Sequence, residues 1–515
     1  MICAISLVGY LAIKIIAMPL LVRWKYKRYP NVKFSPSATL FKGDHAHVEK
    51  NVGDDKFAYW HYAEYALSDS KPDIYIKFIG PTPMFMMFSL KALTEMKKLQ
   101  PNKIDRDNVF IDKLIGKIFY GSVAQSPSNA HWKLRRQSAM KAMGMNFASG
   151  YIQKLVQCME EVASQWREGK IIDFTKQFSY IQFLFMSKVL FGQEFDLSNY
   201  MFEYETEKGE IKEINMHDMM NRVVEDTLWG YFNPLGIVFP FINDNNLCEP
   251  YKRIMRNVRR MENGIKKFLQ KSDDKDSLYW KLKSEKAHTE QELMADLLGL
   301  LFAGSETTSQ TTAGMLYFIK KNPGVMKKCK EVYENQGITQ NGVLQKHLLT
   351  KDIFDDCEYA DYVIKEVLRL NVPTPETISY RALENIEICG VSIPKGNLIS
   401  IGVFGFHYDP KHWHEPLKFM PERFDPESEY FNSPSTGKAR DPLCYIPFST
   451  GLRSCPGQTL AKLTLKIALP LLLSSIDYCI DDEILVNDKV MFSTSSQYPC
   501  DIRIIQNKLW NSPIQ

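Results

Sequence analysis

Cys455 is the residue most open to chemistry, in the stretch Phe448-Ser449-Thr450-Gly451-Leu452-Arg453-Ser454-Cys455-Pro456-Gly457. Gly451 allows backbone angles that a Cβ opposes. Pro456 disfavours helix at Cys455 and suits a first helical position itself. The cysteine therefore stands at a helix mouth, where free N–H groups and the helix dipole favour thiolate over thiol. Phe448 can shield one side of it from water. A buried, inert cysteine in a tight turn is the plain alternative. A second constellation is Ala303-Gly304-Ser305-Glu306-Thr307-Thr308. Glu306 and Thr307 pair an acid with an alcohol and could relay protons. Gly304 invites a reason, since a mid-helix glycine costs about 1 kcal/mol against alanine. The reason is close approach of a ligand, a turn opened by Thr307 bonding back to a carbonyl, or a small-residue helix crossing. Trp132 and Arg136 stand on one helix face and could grip a carboxylate; a Trp packed beneath an exposed Arg fits equally. Glu366 and Arg369 are also at helical pairing distance, though an exposed pair of that kind is worth little.

These groups need elements to hold them. Thr289 and Glu292 form a capping-box start, and the periodicity predicts a helix of roughly 31 residues, about 46 Å, ending before Pro323. A helix carrying Leu460, Leu463, Ile467 and Leu471 follows Cys455, and Pro470 should kink or end it. Strands are predicted at Ile74–Ile79, Ile386–Ile388, Val391–Ile393 and 398–403, the middle two joined by a turn at Gly390. Residues 150–272 read as mostly helical, with Phe178 to Phe191 in the core. Glu427 to Asp441 reads as a polar loop. His407, His412 and His414 lack the spacing of a metal site and read as surface or capping histidines. Lys133, Arg135 and Lys141 read as a solvated basic face or part of a docking surface for an acidic partner. No internal repeat appears.

In order along the chain stand W-x-x-x-R at Trp132, A-G-x-E-T-T at Ala303, E-x-x-R at Glu366, P-E-R-F at Pro421 and F-x-x-G-x-R-x-C-x-G at Phe448. In these motifs the sequence resembles the cytochrome P-450 family over about residues 39–515. The resemblance implies a mainly α fold with small β-sheets. It implies haem b with Cys455 as axial thiolate, and Ala303, Gly304 and Phe448 near the haem. Trp132, Arg136, Arg381 and Arg453 would hold its propionates. Glu306 and Thr307 would deliver protons to bound dioxygen, and Glu366, Arg369 and Arg423 would form a buried ionic triad. The implied activity is a monooxygenase inserting one atom of O2 into an apolar small molecule. Its electrons would come from an NADPH-dependent flavoprotein reductase, with cytochrome b5 as a further partner. The alternatives are a haem-thiolate isomerase or dehydratase, which often lacks the acid–threonine pair, and a non-catalytic membrane haem protein. Substrate walls are expected near Phe110, Trp229 to Phe241, Leu301 and Phe302, Glu376 to Ile378, and Ser495.

The 515 residues are 45% hydrophobic and 24% charged, with a net charge of +4, too small to argue for nucleic acid. Ten cysteines show no C-x-x-C pair, which suits a reducing compartment and argues against structural zinc. Met1 to Val22 is mostly apolar and is followed by Arg23, Lys25, Lys27 and Arg28 with Trp24 and Tyr26 between them. That order predicts an uncleaved transmembrane anchor with its basic flank in the cytoplasm, rather than a signal peptide. The expected organisation is an anchor over 1–22, a basic juxtamembrane linker over 23–38 and a haem domain over 39–515. This predicts a single-pass protein of the endoplasmic reticulum membrane with a cytosolic catalytic domain. An amphipathic, Arg-rich mitochondrial presequence is missing.

Overall fold

A computed structural model describes residues 9–10, 12–35, 60–79, 81–106, 119, 121–144, 149–192, 195, 200–232, 242, 245, 247–350, 355–480 and 501–509. Its helices are α1 (Met18–Tyr26), α2 (Trp60–Leu67), α3 (Leu90–Leu99), α4 (Ala130–Ala142), α5 (Ile152–Ala163), α6 (Phe174–Phe191), α7 (Met216–Phe232), α8 (Glu249–Leu269), α9 (Leu278–Ser284), α10 (Glu290–Lys321), α11 (Pro323–Asn335), α12 (Glu358–Leu370), α13 (Phe404–His407) and α14 (Gln458–Ser475). The largest sheet runs in the order β1 (Val32–Phe34), β2 (Ile74–Ile79), β3 (Thr82–Met87), β13 (Leu398–Ile401), β10 (Tyr380–Ala382), β4 (Ile104–Arg106). The architecture is mainly helical with small sheets, as the family resemblance implies.

The long helix α10 runs 32 residues and starts on the expected capping box. Thr289 Oγ1 accepts from Glu292 N–H, and Glu292 Oε2 accepts from Thr289 N–H at 2.9 Å. Most of its length is buried, packed along α6. Gly304 belongs to that contact. A Cβ there would stand 2.9 Å from Met186 Cε, so the glycine admits α6 rather than a ligand. Gly314 plays the same part against α12, where a Cβ would run into the Asn371 amide. Helix α14 passes through Pro470 and ends at Ser475. Leu463 to Leu473 are largely buried around it, and this packing outweighs the lost backbone bond.

The predicted hairpin is present. β11 (Ile386–Ile388) pairs with β12 (Val391–Ile393) through Cys389 and Gly390, both at positive φ, the pattern of a tight two-residue turn. The region read as mostly helical also holds strands: β5 (Ile171–Asp173) and an antiparallel hairpin of β6 (Met201–Glu205) and β7 (Ile211–Asn215).

At the N-terminus a π-helical turn, Ala12–Ala17, leads into α1, which crosses from Val22 to Arg23 without a break. Among the described residues no helix is long and apolar enough to cross a membrane. Ile13, Ile16, Leu20, Leu21 and Trp24 are exposed. Tyr26 is buried, stands edge-on to Phe85 at 5.1 Å, and donates its hydroxyl to Ser392 O at 2.8 Å. Arg23 lies over the rings of Phe34 and Phe78, each 5.3 Å from its centroid.

Candidate functional site

The cysteine loop is built on backbone bonds. Cys455 N–H donates to Phe448 O at 2.9 Å, and Ser449 N–H donates to Ile446 O at 2.9 Å. Gly451 sits at φ +71°, so the glycine is required there. A single helical turn, Gly451–Arg453, follows, and α14 opens after Gly457. Pro456 therefore lies just ahead of the helix instead of in its first turn. Cys455 has accessible surface yet is walled by protein closely enough that burial raises its pKa. A sulfur facing an interior hollow satisfies both observations. The Gly457 N–H and the Arg136 charge pull the thiol pKa down, but burial wins. The helix mouth thus favours the thiolate in the expected direction without outweighing burial; a metal ion deprotonates a coordinating thiol outright.

Around the sulfur the structure gathers guanidinium groups. Asn129 caps α4 by accepting from Trp132 N–H at 2.7 Å, which fixes the helix that carries Trp132 and Arg136. Trp132 is buried, and its indole N–H donates to Val123 O at 2.8 Å. That donor is spent inside the protein, so the expected grip of the indole on a carboxylate is not what the geometry offers. Trp132 instead supports Arg453, whose guanidinium carbon stands 3.9 Å from the ring centroid. Arg453 also donates to Asp105 Oδ1 at 3.1 Å and to Ser126 O at 2.7 Å. Arg136 donates to Ser454 O at 2.5 Å.

Arg106 is the member that sequence reasoning missed. The β4–β10 register sets it opposite Tyr380, with its guanidinium 4.3 Å from that ring, and Nη1 donates to Ile378 O at 2.6 Å. Its charge lowers the pKa of both Arg136 and Arg453, though burial is the larger cause in each. Arg381, next along β10, donates to Gly396 O at 2.6 Å and so serves the turn before β13. Among the described residues the buried Nε atoms of Arg106 and Arg453 have no hydrogen-bond acceptor. Cations with donors left over suit a dianionic ligand such as the two propionates of haem. The residues present fit that group.

Behind the loop lies the ionic triad. Glu366, Arg369 and Arg423 are fully buried. Arg369 grips Glu366 in a fork, Nε to Oε2 and Nη2 to Oε1, both at 2.8 Å, and Arg423 Nε reaches Oε1 at 3.1 Å. The remaining guanidinium donors meet backbone carbonyls: His407 and Pro416 for Arg369, Glu415 and Lys418 for Arg423. His407 is no surface histidine. It is buried, its Nδ1 lies 3.0 Å from Arg369 O, and its Nε2 accepts from Ile446 N–H at 3.0 Å. It therefore couples the triad to the base of the cysteine loop. Burial lowers its pKa to about 3, so it stays neutral. Arg135 is likewise interior, bound to Asp296 Oδ2 at 2.7 Å and Glu292 Oε1 at 3.0 Å, which removes it from the basic face.

On α10, Ala303 is exposed while Leu301 and Ser305 beside it are buried. Thr307 Oγ1 donates back to Ala303 O at 2.7 Å, as predicted. Glu306 Oε1 accepts from Ser179 Oγ at 3.0 Å, and Oε2 lies 3.4 Å from Gln310 Nε2. Burial raises its pKa more than these bonds lower it. Of the expected substrate walls, Phe302 stacks on Phe119 at 5.7 Å, and Glu376 forms an ion pair with Lys77. Phe110, Ser495 and the side chains from Trp229 to Phe241 lie outside the described residues.

Residues 65–494 match the family model described as Cytochrome P450. Cytochrome P450 3A2 of Rattus norvegicus is 34% identical over 195 residues, covering 38% of this chain and 36% of the relative. Cytochrome P450 3A41 of Mus musculus is 31% identical over 274 residues, 48% of this chain and 50% of the relative. Cytochrome P450 3A5 of Homo sapiens is 35% identical over 195 residues, 38% and 36% respectively. The chain thus spans about a third to a half of the length of the curated relatives it matches. With a family match across most of its length, a cysteine loop on a buried ionic base and a cradle of guanidinium groups, this chain belongs to the cytochrome P450 family, whose cofactor is haem b held by a cysteine thiolate.

Proposed function

We propose that the protein is a haem-thiolate monooxygenase acting on an apolar small molecule. The observation that carries this reading is the group of Arg106, Arg136 and Arg453 near an accessible Cys455, in which the buried Nε atoms of Arg106 and Arg453 have no acceptor among the described residues. In this reading Cys455 would supply the thiolate that holds the haem and the arginines would hold its propionates, with Trp132 bracing Arg453. Haem, when bound, supplies the activation of dioxygen. Ala303 offers accessible surface on the distal helix. Burial raises the pKa of Glu306, which suits a group that takes up and gives up a proton there, and Thr307 holds its hydroxyl against Ala303 O. Glu366, Arg369, Arg423 and His407 fix the loop that carries the ligand.

The electron donor we propose is an NADPH-dependent flavoprotein reductase, with cytochrome b5 as a second candidate. Microsomal relatives and the basic, partly apolar N-terminal segment support attachment to the endoplasmic reticulum membrane through residues 1–22, a linker over 23–38 and a haem domain over 39–515. The test is the absorption spectrum of the reduced, carbon-monoxide-bound protein. A thiolate-type Soret band is expected, lost in Cys455→Ala; a band that survives that substitution overturns the ligand assignment.

A further inference from the structure

Glu306 does not end its hydrogen bonds at Ser179. The Ser179 hydroxyl that donates to Glu306 Oε1 lies 3.2 Å from His217 Nε2. His217 Nδ1 stands 3.7 Å from Asp218 Oδ1, too far for a hydrogen bond and close enough for a small swing to close. The Asp218 side chain is 53% exposed, against 12% for His217. The line runs from α10 across α6 to α7 and ends in solvent. Asn221 Nδ2 is 3.2 Å from His217 Nε2, and an amide that turns over can donate to that nitrogen or accept from it. The rings of Tyr180 and Phe183 stand edge-on to the imidazole at 5.5 and 5.1 Å and fix its plane.

We infer that Ser179 and His217 form a proton relay from the exposed Asp218 to Glu306, so that protons used on the distal side enter between α6 and α7. This rests on the proposed role of Glu306. Asp218 takes a proton from solvent and passes it to His217 Nδ1. The Nε2 proton moves to Ser179 Oγ as Ser179 gives its own to Glu306 Oε1. One proton enters and one arrives, no bond between heavy atoms changes, and the hydroxyl and imidazole return by reorienting. The charged groups bearing on the line are Asp218 and Glu225 from α7 and Glu306 from α10; α6 brings Ser179 and the two rings. Burial lowers the His217 pKa against the pull of Asp218 and raises that of Glu306, where Glu225 adds to the effect. Both shifts favour movement of a proton from His217 towards Glu306.

Two measurements on the holoprotein test the relay. The first is a carbon-13 NMR titration of the His217 ring in the ferrous carbon-monoxide form. Its midpoint should move in Glu306→Gln and in Ser179→Ala. The second is turnover of an alkoxycoumarin probe with the flavoprotein reductase and NADPH across pH 6 to 8. Ser179→Ala and His217→Phe should each raise the share of electrons lost to peroxide by about threefold and enlarge the solvent deuterium isotope effect. His217→Gln keeps polarity without basicity and should behave like His217→Phe. Adding Ser179→Ala to Glu306→Gln should bring no further loss. If Glu306→Gln uncouples while the Ser179 and His217 variants match wild type and the titration midpoint stays put, the relay is wrong and the role of Glu306 stands. If Glu306→Gln itself remains coupled, both fall.

Discussion

The two sides of the candidate haem site use polar residues in opposite ways. Behind the cysteine loop, Glu366, Arg369, Arg423 and His407 are fully buried, and each is tied by several short bonds to its neighbours or to backbone carbonyls. On the distal helix, Glu306 has two weaker partners, Ala303 is accessible, and among the described residues the Thr307 hydroxyl bonds within its own helix. A network whose lone pairs and protons are all met has one low-energy arrangement. A carboxyl held by a hydroxyl and an amide can gain and lose a proton without breaking the fold. Rigidity sits behind the ligand and protonic freedom in front of it.

That contrast can be broken at several points. Glu366→Gln leaves two buried guanidinium groups short of their counter-charge and should cost about 3–5 kcal/mol in urea denaturation; a loss below 1 kcal/mol would mean water reaches the triad. His407 gives a pH test. Its unfolded imidazole binds a proton near 6.5, the folded one only near 3. Between those values the unfolded state carries more protons, so stability is complete above about 6.5 and is lost as pH falls, by at most about 1.4 kcal/mol per unit. His407→Asn should lower stability at neutral pH and flatten that acid slope; an unaltered slope assigns it to other groups.

Gly314→Ala and Gly304→Ala compare two tight spots on one helix. The first meets the Asn371 amide, itself bonded to Gln310 O at 3.1 Å, and should cost about 1–3 kcal/mol. The second meets the flexible end of Met186 and should cost less than half as much in the same assay. Thr307→Ala should cost about 1 kcal/mol in stability, retain the haem spectrum, and release more peroxide per NADPH. Unchanged peroxide release would remove Thr307 from the distal chemistry.

The triad was legible only through the family resemblance: spacing puts Glu366 and Arg369 on one helical face but reads as an exposed pair, and P-E-R-F adds Arg423 only once the family is named. The extent of α10 was legible from Thr289, Glu292 and Pro323. His407 was not, since a histidine before Tyr408, Asp409 and Pro410 reads as a turn, and its burial comes from packing that periodicity does not carry. Arg106 lies in a three-residue strand, too short for a pattern, and only pairing with Tyr380 brings it to the site. The β6–β7 hairpin is masked by Glu203, Glu205, Lys212 and Glu213, though Gly209 at φ +79° marks its turn. Ser179 and His217 carry no local signal, because their meaning lies in contacts between three helices.

Tyr26 bears on how the molecule sits. Its hydroxyl ties α1 to Ser392, on a hairpin far along the chain, while Arg23 is clasped by two rings of the sheet. Helix α1 is thus a strut and not a tether. If, as proposed, the segment ahead of it is held in a bilayer, the tilt of the body is set by one phenol and one guanidinium. Tyr26→Phe would loosen that tilt without touching the site.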